Sequence, residues 1–364
     1  MISFQLDEEQ ELIRDSLEGF AREVLRPQAR AIDEAGAIPD EILAQGWELG
    51  LVAATIPEEY GGSGGTRSPM TGAIMLEQLG GGCASLASAV MASSTFVNPL
   101  LDFGTDEQKR DYLPLFAGPE PHYASLALQE SQFGFGADRL RTKAERRGNG
   151  WVLSGTKRLV PFGDRASHFL VLATGGEAID AFIVPRDAKG LAIEPEAGTM
   201  GLKPLPTAKL SLDRVELPGG ARLGGDNGID AARLLNTLRV ASAAIAVGIS
   251  RTVTDFAIPY AKERVAFGEP IAKKQAIAFM LADMHIECDT MRLMVWKAAS
   301  QLDQGADATR ATVLAQDYVR RHAVKVADDG LQIFGGHGFI RDLPLEMWLR
   351  NTRTVTVLDG PAAV

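Results

Sequence analysis

Apolar residues recur at helical spacing through the first third of the chain. One such stripe would form a single helix face and consists of Ile13, Leu17, Phe20 and Val24. Asp7 is a favourable N-cap for this helix, and the acidic Glu8 and Glu9 suit its first turn. The pattern predicts helices from residue 7 to about residue 118, one of them beginning at Pro39 and another over 106–116. A flexible glycine-rich loop is predicted at 61–65.

The pattern changes to short β-rich segments between residues 123 and 218. Turn residues separate these segments, and Gly148-Asn149-Gly150 is a strong turn signal before a strand. Strands are predicted at 168–173, 181–184 and 208–212. Short strands at regular spacing are typical of a small barrel or sandwich and argue against a parallel sheet.

Long helices return after Gly228. One stripe alternates steps of four and three residues, which is typical of the core of a helical bundle. Its members are Ile277, Leu281, Met284, Cys288, Met291, Val295 and Ala299. The predicted architecture is therefore a multi-domain α+β fold with a helical N-terminal domain (1–120), a middle β-barrel domain (121–225) and a C-terminal four-helix bundle (226–364).

Composition limits the classes of partner. The chain has 364 residues, a net charge of −10 and 46% hydrophobic residues, which is ordinary for a globular protein and argues against nucleic-acid binding. Two cysteines, Cys83 and Cys288, lie in unrelated contexts, so a disulfide framework is not expected. No uncharged apolar run reaches the ~18 residues of a membrane span, and the acidic N-terminus does not resemble a signal peptide. We expect a cytoplasmic protein without a membrane partner.

Several common chemistries lack support in the sequence. The histidines show no spacing typical of a metal site, so no metal ligand is predicted. The segment Gly61–Gly65 matches the nucleophile-elbow pattern, but no strand precedes it and its glycines could not hold a strained turn. No Gly-x-Gly-x-x-Gly follows a strand, which argues against a Rossmann dinucleotide site. Cys288 lies on the core stripe and is expected to be an inert buried thiol.

Three blocks in fixed order carry a resemblance to a known family. They are Tyr260–Gly268 with Lys274–Met284, then Gln332–Phe339, then Trp348–Asn351 leading to Leu358–Gly360. Together they resemble the C-terminal bundle of the acyl-CoA dehydrogenases, flavoenzymes of fatty acid metabolism that oxidise an acyl-CoA thioester to its α,β-enoyl form. Ile56–Gly62 and Phe103–Gln108 extend the resemblance over nearly the whole chain. It implies FAD as cofactor, an electron-transfer acceptor protein, and a homodimer or homotetramer.

The resemblance also implies which residues hold FAD. Arg264 matches an arginine that reaches the flavin pyrophosphate from a neighbouring subunit, and a guanidinium suits that group because it offers charge and paired donors. Phe267 and Gln275 match residues that hold the adenosine half. Gln332, Gly335 and Gly336 match a further contact segment, where absent side chains let backbone N–H groups approach phosphate. The alternative to cofactor contact is a structural role for this segment, as a helix end followed by a tight turn. Such a turn would require only one of the two glycines.

Asp359 matches the catalytic base of the family. A carboxylate is needed because the thioester α-proton is weakly acidic and must leave as a hydride moves from Cβ to the flavin. Gly360 follows the base, and Arg239 resembles an arginine near the substrate pocket. Asp is one methylene shorter than the usual Glu, and a misplacement of about 1 Å can lower a rate roughly a hundredfold. Some members of the family place the base on an earlier helix, and in this chain that position is Leu238, which cannot accept a proton. A role of Asp359 as a simple turn residue stays open.

The middle of the chain departs from the family pattern. Phe135, Leu159 and Pro161 stand where the family has Ser, Trp and Thr residues that contact the isoalloxazine. Gln129 can still donate and accept, and Phe162 with Leu159 and Phe135 could form an apolar slot shaped for the ring. Gln129 and Phe162 are therefore included among the expected cofactor contacts.

Three functions remain open at the level of sequence. The first is an FAD-dependent acyl-CoA dehydrogenase. The second is a flavin-poor partner subunit in a mixed tetramer, a hetero-oligomer to which this chain would lend Arg264, Phe267 and Gln275. The third is a catalytically idle acyl-CoA-binding or assembly protein. A visible spectrum would distinguish the first from the others, since bound oxidised flavin is yellow.

Overall fold

The computed structural model describes residues 5–133, 135–137, 139–175, 178–196 and 198–364. The N-terminal part is helical, and Asp7 caps its first helix by accepting from the Gln10 backbone N–H at 2.8 Å. A π-helical stretch, Ala21–Leu25, connects the first two helices. The helices of this part are α1 (Glu8–Phe20), α2 (Arg26–Ala35), α3 (Asp40–Glu48), α4 (Pro69–Gly82), α5 (Ala84–Val90), α6 (Ser94–Phe103) and α7 (Asp106–Tyr112).

The middle part is a curled sheet of seven strands. They are β1 (Ala124–Ala127), β2 (Lys143–Arg147), β3 (Gly150–Pro161), β4 (His168–Thr174), β5 (Ile179–Pro185), β6 (Leu191–Glu196) and β7 (Thr207–Leu217). The strand order is β1-β4-β2-β3-β7-β6, with β5 paired to β4. The long strands β3 and β7 pair antiparallel, while β1 and β4 pair parallel. Alternate residues of these strands point into a common apolar core.

The C-terminal part is a helical bundle. It contains α8 (Ala231–Glu263), α9 (Gln275–Asp303), α10 (Thr309–Phe334) and α11 (Leu345–Val355), with a small hairpin of β8 (Val265–Ala266) and β9 (Glu269–Pro270) between α8 and α9. Close approach of α4 to α8 depends on small residues, since a Cβ at Gly248 would lie 2.0 Å from the Glu77 carbonyl oxygen. The N-terminal helices and the bundle therefore share one apolar core.

Helix α8 is long and apolar enough to cross a membrane by length and composition alone. However, 83% of its most apolar window is buried inside the structure. The burial is that of the central helix of a bundle, packed between α4, α9 and α10.

The predicted fold class is confirmed, with differences in detail. Helix α7 ends at Tyr112 and continues as a tighter 3₁₀ turn over Leu113–Phe116, where Pro114 interrupts regular helix. In the stripe of α9, Ile277 and Leu281 are only half-buried, because the first turns of this helix extend beyond the core. The short strands β1, β2 and β6 were not identified from the sequence. β2 exposes four of its five residues, so it lacks a clear apolar alternation.

A buried ion pair holds the end of β1 against β3. The Lys157 side chain is completely buried, and its Nζ lies 2.7 Å from Glu130 Oε1 and 3.2 Å from the Leu128 carbonyl oxygen. Glu130 also accepts from the Thr142 hydroxyl at 2.7 Å and from the Arg141 and Thr142 backbone N–H groups. Burial lowers the pKa of Lys157 below its usual range, and Glu130 opposes that shift. Since Leu128 and Glu130 flank Gln129, the pair fixes the backbone that presents this side chain.

Substitution of Lys157 by Met should destabilise the protein by about 3–5 kcal/mol, because it leaves the Glu130 carboxylate buried without its cation. Urea unfolding followed by circular dichroism measures the effect. Lys209→Met is the matched control, since the Lys209–Glu194 pair is partly exposed and should contribute less than about 1 kcal/mol. Combining Lys157→Met with Glu130→Gln should recover part of the loss, because the amide removes the charge and keeps an acceptor oxygen for the Thr142 donors. A Lys157→Met protein as stable as the control would contradict this assignment.

Candidate active site

A narrow cleft lies between the sheet and the end of α11. Its empty space is about 380 Å³, part of it open to solvent. The lining residues are Gln129, Leu159, Pro161, Thr199, Gly201, Leu202, Leu205, Thr207, Thr354, Leu358, Asp359, Gly360 and Pro361. The walls are mainly apolar, with a few convergent polar groups, which is typical of a small-molecule site.

Hydrogen bonds hold the main chain on both sides of the Asp359 side chain. The Gln129 amide donates from Nε2 to the Asp359 carbonyl oxygen at 2.9 Å. The Ser242 hydroxyl on α8 donates to the Leu358 carbonyl oxygen at 3.2 Å. Gly360 follows with a φ of +95°, a conformation that L side chains rarely adopt. Contacts from the sheet and from the bundle thus fix the backbone of Asp359.

The Asp359 carboxylate faces the bundle helices. Its Oδ1 accepts from Nε2 of Gln316 on α10 at 2.9 Å, and its Oδ2 lies 4.0 Å from Nε of Arg239 on α8. The Arg239 Nε is buried and has no hydrogen-bond partner within the described parts of the chain. Across the same residues, no acceptor receives the backbone N–H of Asp359. The site therefore combines a held carboxylate with a buried cation beside it and a backbone N–H that no described group accepts.

Charged contacts fix α11, which leads into the cleft. Arg350 donates to both carboxylate oxygens of the buried Asp33 on α2, at 3.2 and 2.6 Å. Glu346 accepts from Arg350 Nε at 2.6 Å and from Arg30 Nη1 at 2.5 Å. The residue after Arg350 on α11 is Asn351, whose Oδ1 accepts the Leu202 backbone N–H at 2.8 Å. These contacts set the position of the turn that carries Asp359.

The divergent segment of β3 is held by Glu196. The Leu159 backbone N–H donates to Glu196 Oε2 at 2.7 Å, and Arg158 pairs with the same carboxylate. Leu159 and Phe162 both adopt a positive φ, at 52° and 50°, where the strand is irregular. As a result the side chains of Leu159 and Pro161 line the cleft.

The structure places Phe162 away from the cleft. Its ring is completely buried and stacks on Tyr123 with centroids 4.6 Å apart. Phe135 packs against an apolar core shared by the N-terminal helices and the sheet, and it is also absent from the cleft lining. The expected slot of Leu159, Phe162 and Phe135 is therefore not formed, because the backbone turn at Leu159 and Phe162 sends the second ring inward. Phe162 can therefore support the cleft only through core packing, without contact with a ligand in the cleft.

A second, open groove lies on the bundle. It has an empty volume of about 790 Å³ and is lined by Tyr260, Arg264, Ala266, Ile271, Ile333, Phe334, Gly335, Gly336, His337 and Ile340. Arg264 caps α8, its side chain is exposed, and no described residue pairs with its guanidinium. Gly335 has a φ of +58°, and a Cβ at Gly335 or Gly336 would meet no atom within 4 Å. The groove therefore brings together Arg264, Gly335 and Gly336 with room beside them.

The other expected cofactor residues surround this groove without lining it. Phe267 stands at the tip of the β8–β9 hairpin with a φ of +55° and a relative exposure of 95%. Gln275 begins α9, Gln332 lies near the end of α10, and both side chains are exposed. A positive φ at a residue with a bulky side chain is uncommon and marks a tight turn or local strain.

Sequence reasoning missed Gln316 and Glu196. Neither belongs to a recognised motif, and Glu196 contacts Leu159 across 37 positions of sequence. The signal available for Gln316 was its polar side chain next to the apolar Ala315 and Val319, both of which are buried on α10. Among the described residues, no group of three or more His, Cys, Asp or Glu side chains could hold a metal ion.

Three family profiles together match nearly the whole chain. The acyl-CoA dehydrogenase N-terminal domain matches residues 7–120, the middle domain 125–215 and the C-terminal domain 226–364. The chain belongs to the acyl-CoA dehydrogenase family. A probable acyl-CoA dehydrogenase of Bacillus subtilis is 35% identical over 374 residues, covering 100% of this chain and 97% of the relative. The mitochondrial short-chain specific acyl-CoA dehydrogenase of Bos taurus is 31% identical, with 100% and 90% covered.

Solved structures agree with this assignment. The butyryl-CoA dehydrogenase of Megasphaera elsdenii superposes with a TM-score of 0.89 at 28% identity, covering 99% of this chain and 96% of that one. A glutaryl-CoA dehydrogenase of Mycobacterium smegmatis in complex with FADH2 gives a TM-score of 0.86 at 25% identity, covering 98% and 92%. The family uses FAD, and the donor set of this dehydrogenase-family chain fits that group. The Arg264 guanidinium, which pairs with none of the described residues, and the open backbone at Gly335 and Gly336 suit a diphosphate.

The contacts of Glu346 predict a loss of stability in acid. Burial alone would raise the pKa of this carboxyl, but hydrogen bonds from Arg350 and Arg30 lower it to about 2 from 4.5. The resulting stabilisation is complete above pH 4.5 and is lost as the pH falls towards 2. At 1.36 kcal/mol per pKa unit, the loss amounts to about 3 kcal/mol.

Glu346→Gln should therefore flatten the decline in unfolding free energy between those pH values, as measured by urea titrations at several pH values. Glu216→Gln serves as control, because the Glu216–Arg147 pair is exposed and should leave the decline unchanged. Equal slopes for Glu346→Gln and the wild type would refute the role of Glu346.

Proposed function

We propose that this protein is an FAD-dependent acyl-CoA dehydrogenase that oxidises the Cα–Cβ bond of an acyl-CoA thioester. The observation that carries the proposal is the Asp359 carboxylate at an apolar cleft, with its backbone held from the sheet and from the bundle. Relatives named as acyl-CoA dehydrogenases match this chain over its full length, which supports the same activity. The apolar walls of the cleft suit the carbon atoms next to a thioester.

Each group of the site has a role in this reaction. Asp359 accepts the α-proton, and the electron pair of that C–H bond forms the new double bond as a hydride leaves Cβ. FAD, when bound, supplies the acceptor for that hydride. The Asp359 backbone N–H donates to the thioester carbonyl oxygen, where negative charge develops as the proton leaves. Arg239 adds positive charge beside the carboxylate, and Gly360 leaves space for the thioester.

We propose that FAD is held by Arg264 at the diphosphate, by Phe267 and Gln275 at the adenosine half, and by Gln332, Gly335 and Gly336 through backbone and amide groups. Gln129 belongs to the ring end of the site because it lines the cleft. The alternatives of a flavin-poor partner subunit and an idle acyl-CoA-binding protein receive no support from the names of the relatives. They remain distinguishable outcomes of the experiments below.

Asp359→Asn should abolish flavin bleaching by acyl-CoA while leaving the flavin content unchanged, because an amide keeps size and backbone but cannot accept the α-proton. Stopped-flow absorbance in the flavin band measures the bleaching, and the spectrum of the purified protein gives the content. Asp359→Glu tests the shorter carboxylate. It should retain or raise activity unless the longer side chain overpacks the cleft. Asp342→Asn, in an exposed turn, is the matched control.

Full bleaching of the flavin in Asp359→Asn would show that Asp359 is only a turn residue and not the base. A wild-type protein that stays colourless after incubation with FAD would favour the partner-subunit alternative. Binding of acyl-CoA without any bleaching of bound flavin would favour the idle binding protein.

We further propose that the chain assembles as a homodimer or homotetramer in which Arg264 reaches the cofactor of a neighbouring subunit. Exposed apolar residues on α9 support an interface, since Phe279, Ile286 and Leu293 recur every seven positions and share one face. Val313 and Leu314 on α10 are also exposed. A related chain could replace the second copy in a hetero-oligomer. An electron-transfer acceptor protein would reoxidise the flavin, and a cytoplasmic location suits these partners.

Phe279→Asp combined with Ile286→Asp should shift the assembly to smaller species and reduce its FAD content, because the charges disrupt the shared apolar face. Multi-angle light scattering and absorbance of the same peak measure both effects. Leu12→Asp is a suitable control, since Leu12 is 71% exposed on α1, a helix that packs mainly on α4. A wild-type monomer at micromolar concentration would contradict the assembly and with it the role given to Arg264.

A further inference from the structure

Gln316 lies on α10 at the edge of the buried face of the helix. Thr312, Ala315 and Val319 around it are buried, while its own side chain is half-buried. A half-buried amide is stabilised by a hydrogen-bond partner within the protein, where water has limited access to it. The partner is Asp359 Oδ1, at 2.9 Å from Gln316 Nε2.

Within the described parts of the chain, this is the one hydrogen bond that the Asp359 carboxylate accepts. Arg239 Nε lies 4.0 Å from Oδ2, which is an ion pair at long range and beyond hydrogen-bond distance. The charge of Arg239 attracts the carboxylate without selecting an orientation. Gln316 therefore supplies the directional contact.

The side-chain torsions are the remaining freedom of Asp359. Its main chain is held through the Leu358 and Asp359 carbonyl oxygens by Ser242 and Gln129. A carboxylate on a short side chain can reach a substrate carbon only from a limited set of orientations. Whatever fixes those torsions also sets the distance between the base and the α-proton.

We propose that Gln316 is a positioning residue that orients the Asp359 carboxylate for proton abstraction. The consequence for rate rests on the proposed dehydrogenase function, whereas the consequence for orientation does not. Gln316 contacts the base through its side-chain amide and is not among the residues that line the cleft. Its loss should therefore affect the chemical step more than substrate binding.

The test compares three variants as FAD-loaded protein. Gln316→Met keeps the length of the side chain and removes the donor, while Gln316→Lys restores a donor of similar reach. Gln304→Met is the matched control, since Gln304 is exposed at the end of α9 and donates only to Ser300 within the described residues. Stopped-flow flavin reduction by butyryl-CoA, the Kd of butyryl-CoA, FAD content and crystal structures of the wild type and the Met variant are measured.

In Gln316→Met, the limiting rate of flavin reduction should fall by roughly 10–100-fold through misplacement of the base. The Kd of butyryl-CoA and the FAD content should stay unchanged, and Gln316→Lys should recover most of the rate. In the crystal structure of the Met variant, the Asp359 carboxylate should leave its present place. A rate equal to the wild type, or a carboxylate that keeps its place, would overturn the proposal.

The two proposals fail in different ways. A wild-type protein whose bound flavin is reduced by no acyl-CoA would refute the proposed function. The crystallographic comparison would still decide whether Gln316 orients Asp359.

Discussion

The hydrogen bond from the Gln129 amide to the Asp359 carbonyl oxygen joins the sheet to the bundle at the cleft. Its two ends are fixed by different means. On the sheet side, the completely buried Lys157 binds the residues before and after Gln129. On the bundle side, Ser242 holds Leu358, and Arg350 holds α11 to Asp33. Because the carboxylate is attached to this backbone, its position depends on contacts from all three parts of the chain.

The charged contacts that define the site are the buried ones. Lys157 with Glu130, and Arg350 with Asp33, are largely removed from water, so removing one partner would leave a charge without compensation. Exposed pairs such as Arg147 with Glu216 contribute little by comparison. Buried pairs are also geometrically demanding, since they are favourable only in one arrangement. They therefore specify where α2, α11, β1 and β3 lie relative to one another.

Much of the fold could be predicted from the sequence because its signals are local. The stripe of α9 and the N-cap at Asp7 involve residues within one helix, and the order of helices and strands follows from them. The motifs also indicated that Arg239, Gln129 and Asp359 belong to one site, and the structure brings these three together. Their chemical roles remain predictions. Gln316 was missed because its role depends on a partner 43 positions away in the sequence. Phe162 was predicted to line the slot because it is an apolar residue in a flavin-facing motif. Nothing in the sequence indicated its positive φ, and that backbone conformation turns the ring towards Tyr123.

The backbone conformation at Gly360 restricts substitution at position 360 more than at position 359. Its φ of +95° lies where any residue with a Cβ is strained, so replacement there disturbs the turn itself. The neighbouring position 359 has no such restriction, and its side chain can be lengthened, shortened or neutralised while the turn persists. Descendants of one gene can therefore exchange the side chain at position 359 and still keep the fold. Duplicated copies of such a chain could lose the carboxylate by a single substitution while the turn and the fold around it persist.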